Sequence, residues 1–362
     1  MDLLKALIVV SEKAANIART LRQNESLFSL LVEQKSDNEA NPRFNEDFKT
    51  LADVLIQQMT RHDIGLQFPD LKQSIEGEES NHIVNKLGEE VDIEIKDSAE
   101  ETARLLSKVM DGDVEAARVL ADEVHRTVSI DEVDTKTPTF DFDVDLENIG
   151  IWIDPIDGTN EYVKADEDVT NGEFFLKGLK CVTVLIGAYD KRGVPIMGII
   201  NQPFYCKTDI NKYQCHWGVC YQGREALLKA SSIDEPNMEE THTLCVGISE
   251  NPQYIQVLKD AGYNLTYPKG AGYKLLTVIL GISDAYILSK PTTYMWDTCA
   301  PQAILRSLGG EIINMTDMVT KKKSNVIKYG RKGSTSTKNI DGIVAYRYKN
   351  VINKLVELNW TA

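Results

Sequence analysis

The segment Trp152-Ile153-Asp154-Pro155-Ile156-Asp157-Gly158-Thr159-Asn160 places two carboxylates three positions apart at the end of an apolar run. Pro155 and Gly158 favour a tight turn, which holds both acids close together. Carboxylates at that range repel, and one takes up a proton unless a cation lies between them. Hard oxygen donors of this kind select Mg²⁺, Mn²⁺ or Ca²⁺ over zinc. The turn also offers the Ile156 carbonyl as a further oxygen donor. Gly158 and Thr159 then open a helix, whose free N–H groups suit an anion. Taken alone, the pattern fits an Asx-rich turn after a strand equally well.

Other segments carry candidate groups. Gly77-Glu78-Glu79-Ser80 sets adjacent acids on a short loop, read by itself as a solvated turn. Trp296-Asp297-Thr298-Cys299-Ala300-Pro301 sets one acid at a helix start, where an N-cap is the plainer reading. Asp53 sits near the edge of the apolar face of a predicted helix. If buried it needs a partner, and a threonine hydroxyl would serve; if exposed it needs none. Gly270-Ala271-Gly272-Tyr273-Lys274 puts small residues before a helix. They would expose N–H groups to a hydroxyl or phosphate, with Lys274 facing a second phosphate, unless this is an ordinary helix start. The third glycine of a dinucleotide fingerprint is missing, and so is that motif's strand. Asp141, Asp143 and Asp145 imitate the opening of a calcium loop, but Leu146 and Trp152 stand where Gly and Glu are required. Lys321, Lys322 and Lys323 read as a solvated loop.

The elements that must position these groups follow from periodicity. Leu3, Leu7, Val10, Ala14, Ile17 and Leu21 predict a helix over 2–22, and Phe48, Leu51, Leu55, Ile56 and Met59 predict another over 45–60. Ser98 and Glu101 form a capping-box pattern ahead of a third, which Asp111-Gly112-Asp113 breaks before a fourth ending near His125. The acidic stretch 126–147 reads as a solvated surface insertion. NIGIWID predicts a buried strand, and CVTVLIGAY with PIMGIIN predicts an antiparallel pair around Asp190-Lys191-Arg192-Gly193. Beyond a polar link at 222–242, strands and helices alternate as in α/β proteins, with Gly309-Gly310 stopping one helix. The division expected is an N-terminal α+β domain over 1–236, with an insertion around 88–147, and a C-terminal α/β domain over 237–362.

Bulk properties narrow the function classes. The 362 residues suffice for two domains or one layered unit. A net charge of −15 argues against nonspecific nucleic-acid binding, and bound cations would reverse the sign locally in an anion site. No apolar run approaches the roughly 20 residues of a membrane helix. The N-terminus reads as an amphipathic helix rather than a signal peptide. The six cysteines form no C-x-x-C pair and read as free thiols in a reducing cytoplasm. The five scattered histidines give little support to a His-based metal site or a Ser-His-Asp hydrolase.

The G-E-E segment at 77–79, the D-P-I-D-G-T turn at 154–159 and the W-D-T-C-A-P segment at 296–301 stand in an order that resembles the inositol monophosphatase superfamily of lithium-sensitive, Mg²⁺-dependent phosphatases. The long stretch between Glu79 and Asp154 narrows this to the subgroups with an insertion there. KTLADVLIQ, GEESN, GAGYK and GIVAYR are similar to the subgroup that acts on inositol polyphosphates, whose vertebrate members carry Ser where this chain keeps Gly158. The resemblance implies a layered α-β-α-β-α sandwich, mixed α+β and α/β, of the inositol monophosphatase/fructose-1,6-bisphosphatase type. It implies one Mg²⁺ on Glu78, Asp154 and the Ile156 carbonyl, a second on Asp154, Asp157 and Asp297, and Glu79 beside them serving a third, weaker ion. Thr159 and Asp53 would orient and deprotonate a metal-activated water, with Glu78 also in the catalytic set. Asp157, Gly158, Thr159, Ser249, Gly270, Ala271 and Lys274 would contact an inositol phosphate. Implied with these are Li⁺ inhibition, a monomer, a cytoplasmic location, and removal of the 1-phosphate from inositol 1,4-bisphosphate and inositol 1,3,4-trisphosphate. The alternative is a nucleotidase acting on 3′-phosphoadenosine 5′-phosphate. Its K-G-F-like continuation after D-G-T is not matched by Asn160-Glu161-Tyr162.

Overall fold

A computed structural model of the chain describes residues 2–23, 32–34, 48–84, 88–140, 144–205, 213–222, 226–231, 241–320, 325–333 and 336–360. The readings at Asp141, Asp143, Cys206, Lys321, Lys322, Lys323 and most of the 222–242 link fall outside these residues.

Helix α1 (Leu3–Gln23) buries Leu3, Leu7, Val10, Ala14, Ile17 and Leu21, the stripe its spacing predicts. The second predicted helix starts later than expected. Residues Phe48–Thr50 pair as a strand with Val32–Gln34, and helix α2 runs Leu51–Gln67. The reason is a capping box. Thr50 Oγ1 accepts from the Asp53 N–H at 3.3 Å, and the Asp53 carboxylate accepts from the Thr50 N–H at 2.8 Å. Asp53 therefore lies in the first turn, and it is 2 % exposed, which removes the reading of a solvated helix acid.

Six strands form the first sheet: β1 (Ile75–Gly77), β2 (Gly150–Asp157), β3 (Thr183–Tyr189), β4 (Pro195–Asn201), β5 (Cys215–Gln222) and β6 (Ala226–Ala230), in spatial order 6-5-4-3-2-1. Only the β1–β2 pair is parallel, and β3–β4 is the predicted hairpin. Every residue of β2 is buried, as a continuous apolar run requires. Helices α1 and α2 cover one face, and the insertion helices α3 (Ala99–Val109) and α4 (Val114–His125) join the same core. The acidic stretch that follows is not simply solvated. Val128, Val133 and Val144 are buried, Phe140 packs on Trp217 at 5.8 Å between ring centres, and Trp217 Nε1 donates to the Lys136 carbonyl at 2.7 Å. Apolar residues interleaved with the acids strap this segment to the first sheet.

The second sheet contains β7 (Thr243–Val246), β8 (Asn264–Thr266), β9 (Ala285–Leu288), β10 (Glu311–Asn314) and β11 (Ile343–Tyr346), ordered 8-7-9-11-10. Between the sheets lie α7 (Ala271–Ile279) and α8 (Met295–Ser307). On the outer face lie α6 (Pro252–Asp260), α9 (Met315–Val319) and α10 (Lys349–Glu357). The result is the expected α-β-α-β-α layering. A row of glycines lets α8 approach the first sheet. Gly187, Gly198 and Gly218 are register neighbours on β3, β4 and β5. An added Cβ would come within 2.4 Å of Ala300 N, 2.0 Å of Ala300 O and 2.7 Å of the Ile304 Cα, respectively. Helix backbone occupies the space side chains would fill, and this close approach brings the start of α8 to the end of β2.

Among the described residues no helix is long and apolar enough to cross a membrane. Cys181, Cys215, Cys220, Cys245 and Cys299 are buried free thiols. Burial pushes the His216 imidazole on β5 down from the usual 6.5 to about 4, against opposing contributions from the Tyr213 backbone and Asp134. Held neutral when folded, this histidine binds its proton more readily when the chain unfolds. Stability is therefore fully present above pH 6.5 and declines as pH falls towards 4. About 2 kcal/mol should be lost at pH 5 relative to pH 7.5, and His216→Gln should flatten that part of the curve in urea titrations. An unchanged slope in the variant would assign the acid lability to another group.

Candidate metal centre

Three elements converge on one acidic cluster. Strand β2 carries Asp154 and Asp157, with a register irregularity against β3 between them: Asp154 faces Leu185, and Asp157 faces Thr183. The extra residue breaks simple alternation and turns both carboxylates towards the same place. Helix α8 supplies Asp297 from its third position rather than from its cap, and that carboxylate accepts the Tyr294 N–H at 2.5 Å. One ligand oxygen from each of Asp154, Asp157 and Asp297 lies within 4.8 Å of the others, and all three residues are buried. Parallel pairing of Gly77 with Ile153 then brings in the next loop, where the Glu78 N–H donates to the Ile153 carbonyl at 3.2 Å.

The electrostatics of this cluster are unfavourable without a cation. Burial first, then the charges of Glu78, Asp157, Asp297 and Asp53, pushes the Asp154 carboxyl well above the usual range. Burial with Asp157 and Glu78 does the same to Asp297. Asp157 is raised less, because Lys274 and the N–H groups of Gly272 and Ala271 favour its ionised form. Asp154 Oδ1 is buried without a hydrogen-bond partner. Buried carboxylate oxygens that repel one another, one of them lacking a donor, fit a hard divalent cation. Asp154, Asp157, Asp297 and Glu78 are the residues that would hold it.

The other predicted residues distribute unevenly. Glu79 is buried beside Glu78 in the same loop. The Ile156 carbonyl lies in the turn, where it accepts the Thr159 hydroxyl at 3.0 Å. Gly158 takes φ +86 there, a left-handed conformation that glycine adopts at little cost. The anion-suited helix start is short, since helix α5 spans Thr159–Lys164. Asp53 reaches the electrostatic environment of Asp154 from the first turn of α2. Ser249 lies exposed in the turn after β7.

In the GAGYK segment, N–H groups expected to face a hydroxyl or phosphate meet a carboxylate of the protein. The Ala271 and Gly272 N–H groups donate to the two Asp157 carboxylate oxygens, at 3.0 and 2.9 Å. The start of α7 thus holds an aspartate of the cluster. Gly270, at φ +73, would place a Cβ 2.9 Å from Asp157 Oδ2 and 2.7 Å from the Cys181 carbonyl. Lys274 is buried, and its ammonium donates to the carbonyls of Pro268 at 3.0 Å and Gly270 at 2.7 Å. It therefore ties the loop before α7. Thr183, whose hydroxyl is 3.3 Å from Asp157 Oδ2, was not among the sequence candidates. Only the register of β3 against β2 places it there.

A family model described as the inositol monophosphatase family matches residues 55–350. The chain is 40 % identical to inositol polyphosphate 1-phosphatase from Mus musculus, over 96 % of this chain and 94 % of the relative. It is 33 % identical to 3′(2′),5′-bisphosphate nucleotidase 1 from Rattus norvegicus, over 47 % of this chain and 51 % of the relative. The crystal structure of a staphylococcal inositol monophosphatase-1, a LiCl-soaked inhibitory complex, superposes with a TM-score of 0.51 at 15 % identity, covering 94 % of this chain and 89 % of that one.

Proposed function

The chain belongs to the inositol monophosphatase family and is a phosphoric monoester hydrolase, and from that premise we propose that it removes the 1-phosphate of inositol 1,4-bisphosphate and inositol 1,3,4-trisphosphate in a Mg²⁺-dependent reaction. The observation carrying the metal part is the buried triad Asp154, Asp157 and Asp297 within 4.8 Å, with its partnerless Asp154 oxygen. Mg²⁺ there, as two ions with a third weaker one near Glu79, would neutralise the phosphate and make water more acidic. Asp154, Asp157, Asp297 and Glu78 supply the compensating negative charge, with the Ile156 carbonyl as a neutral donor. Thr159 orients the attacking water, and Asp53 takes its proton. Gly158, Ser249, Gly270 and Ala271 line the inositol side. The enzyme works as a monomer in the cytoplasm, in phosphatidylinositol signalling and inositol recycling.

The likeness to the polyphosphate 1-phosphatase spans nearly the whole chain, insertion included, whereas the nucleotidase likeness covers about half. That contrast supports the inositol substrate. Phosphate release should be measured with Mg²⁺ on inositol 1,4-bisphosphate and on 3′-phosphoadenosine 5′-phosphate. The inositol substrate should turn over faster by at least about tenfold in kcat/KM, a difference of about 1.4 kcal/mol, with inhibition by millimolar Li⁺. Faster turnover of the nucleotide would overturn the substrate assignment while leaving the metal chemistry intact.

A further inference from the structure

We propose that Gln57 is a positioning residue that fixes the loop presenting Glu78 and Glu79 to the metals. The inference rests on the metal reading above and adds to it a residue outside the proposed ligand and substrate-contact sets. Gln57 is fully buried on α2. Its carboxamide closes a two-point clamp on one residue: Nε2 donates to the Glu79 carbonyl at 2.6 Å, and Oε1 accepts the Glu79 N–H at 3.0 Å. Only this orientation of the amide satisfies both backbone groups. A glutamate would aim an oxygen at the carbonyl, and a leucine would leave two buried backbone groups unpaired.

The sequence around the clamp is adapted to it. A Cβ at residue 77 would stand 2.0 Å from Gln57 Oε1 and 2.7 Å from its Cδ, so Gly77 makes room for the amide. Beyond the loop, the buried Lys49 ammonium donates to the His82 carbonyl at 2.8 Å and to Ser80 Oγ at 3.3 Å. Residues 77–82 are thus held by side chains from the strand and helix at 48–67. Asp53 and Gln57 are four positions apart, so one face of α2 carries both the proposed proton acceptor and the clamp. The helix sets Asp53 and the first metal's Glu78 in a common frame. Without the amide, the loop can relax away from Asp154 and cation affinity falls before chemistry does.

The test is a Mg²⁺ titration of the full chain, followed both by the rise in Tm and by phosphate release. Gln57→Leu should need roughly 10–100-fold more Mg²⁺ for half of either response, as is usual when a support of a metal ligand is removed. Most of the lost rate should return at saturating Mg²⁺. Gly77→Ala displaces the same amide and should act alike, and the double variant should show no further loss. It also stands as the test if Gln57→Leu does not fold. An unchanged Mg²⁺ midpoint in Gln57→Leu, or additive losses in the double variant, would overturn the clamp. A lower Tm with an unshifted midpoint would make Gln57 merely structural. Absence of any Mg²⁺ response in the wild-type protein would instead refute the metal reading.

Discussion

Replacing Asp154 by asparagine should abolish phosphate release while making the metal-free protein more stable. Burial, and then the charges of four surrounding acids, disfavour the ionised form of this residue. Asparagine has nearly the same shape and removes a charge from a site where no cation compensates it. About 2 kcal/mol of gain is a reasonable expectation, which for a chain of this length is a rise in Tm of roughly 2–4 °C. The same substitution deletes one of the carboxylates that would hold Mg²⁺, and turnover should fall by at least about 10³-fold. Thermal unfolding in EDTA and again in excess Mg²⁺ separates the two effects. The variant should melt above wild type in EDTA, and it should gain little when Mg²⁺ is added. A variant less stable in EDTA, or one with near-normal turnover, would remove Asp154 from its assigned place. Stability surrendered for function in this way is a common property of active sites.

The parts of this site that sequence revealed were those whose signal is local. The D-P-x-D-G-T turn carries its chemistry within six residues, and the buried run of β2 announces its own position. What stayed hidden depends on pairing across long separations. Thr183 meets Asp157 through strand register, and Gln57 meets Glu79 across 22 positions. Neither is marked by composition or spacing. Nothing local marks the glycines at 187, 198 and 218, and only the sheet register aligns them beneath α8. A lysine after small residues suggests an anion, and the pattern does not show that the carbonyls of Pro268 and Gly270 accept from the Lys274 ammonium. Phe48 continues the apolar stripe and so suggests a helix over 45–60, whereas the Thr50–Asp53 capping box sets the true beginning at Leu51. That box was itself legible, as T-x-x-D ahead of an apolar run.

The capping box also makes Asp53→Asn an unusually clean test of the proposed proton acceptor. An asparagine oxygen can still accept the Thr50 N–H, which now meets the Asp53 carboxylate at 2.8 Å, so helix α2 should keep its start. The first turn loses a negative charge that favours a helix N-terminus, a cost of about 0.3–1 kcal/mol. Removing the same charge lightens the repulsion on Asp154, which offsets part of that cost. Folding and Mg²⁺-induced stabilisation should therefore change little. The ability to take a proton is gone, and kcat should drop by roughly 10²–10⁴-fold with KM nearly unchanged. Asp53→Ala should separate the two roles of this carboxylate. It would also leave the Thr50 N–H and hydroxyl without their acceptor, adding about 1–2 kcal/mol of instability to the same catalytic defect. Turnover of Asp53→Asn within a few-fold of wild type, measured at saturating Mg²⁺, would leave Asp53 a helix cap and nothing more. The proton acceptor would then have to be sought among the other groups around Asp154.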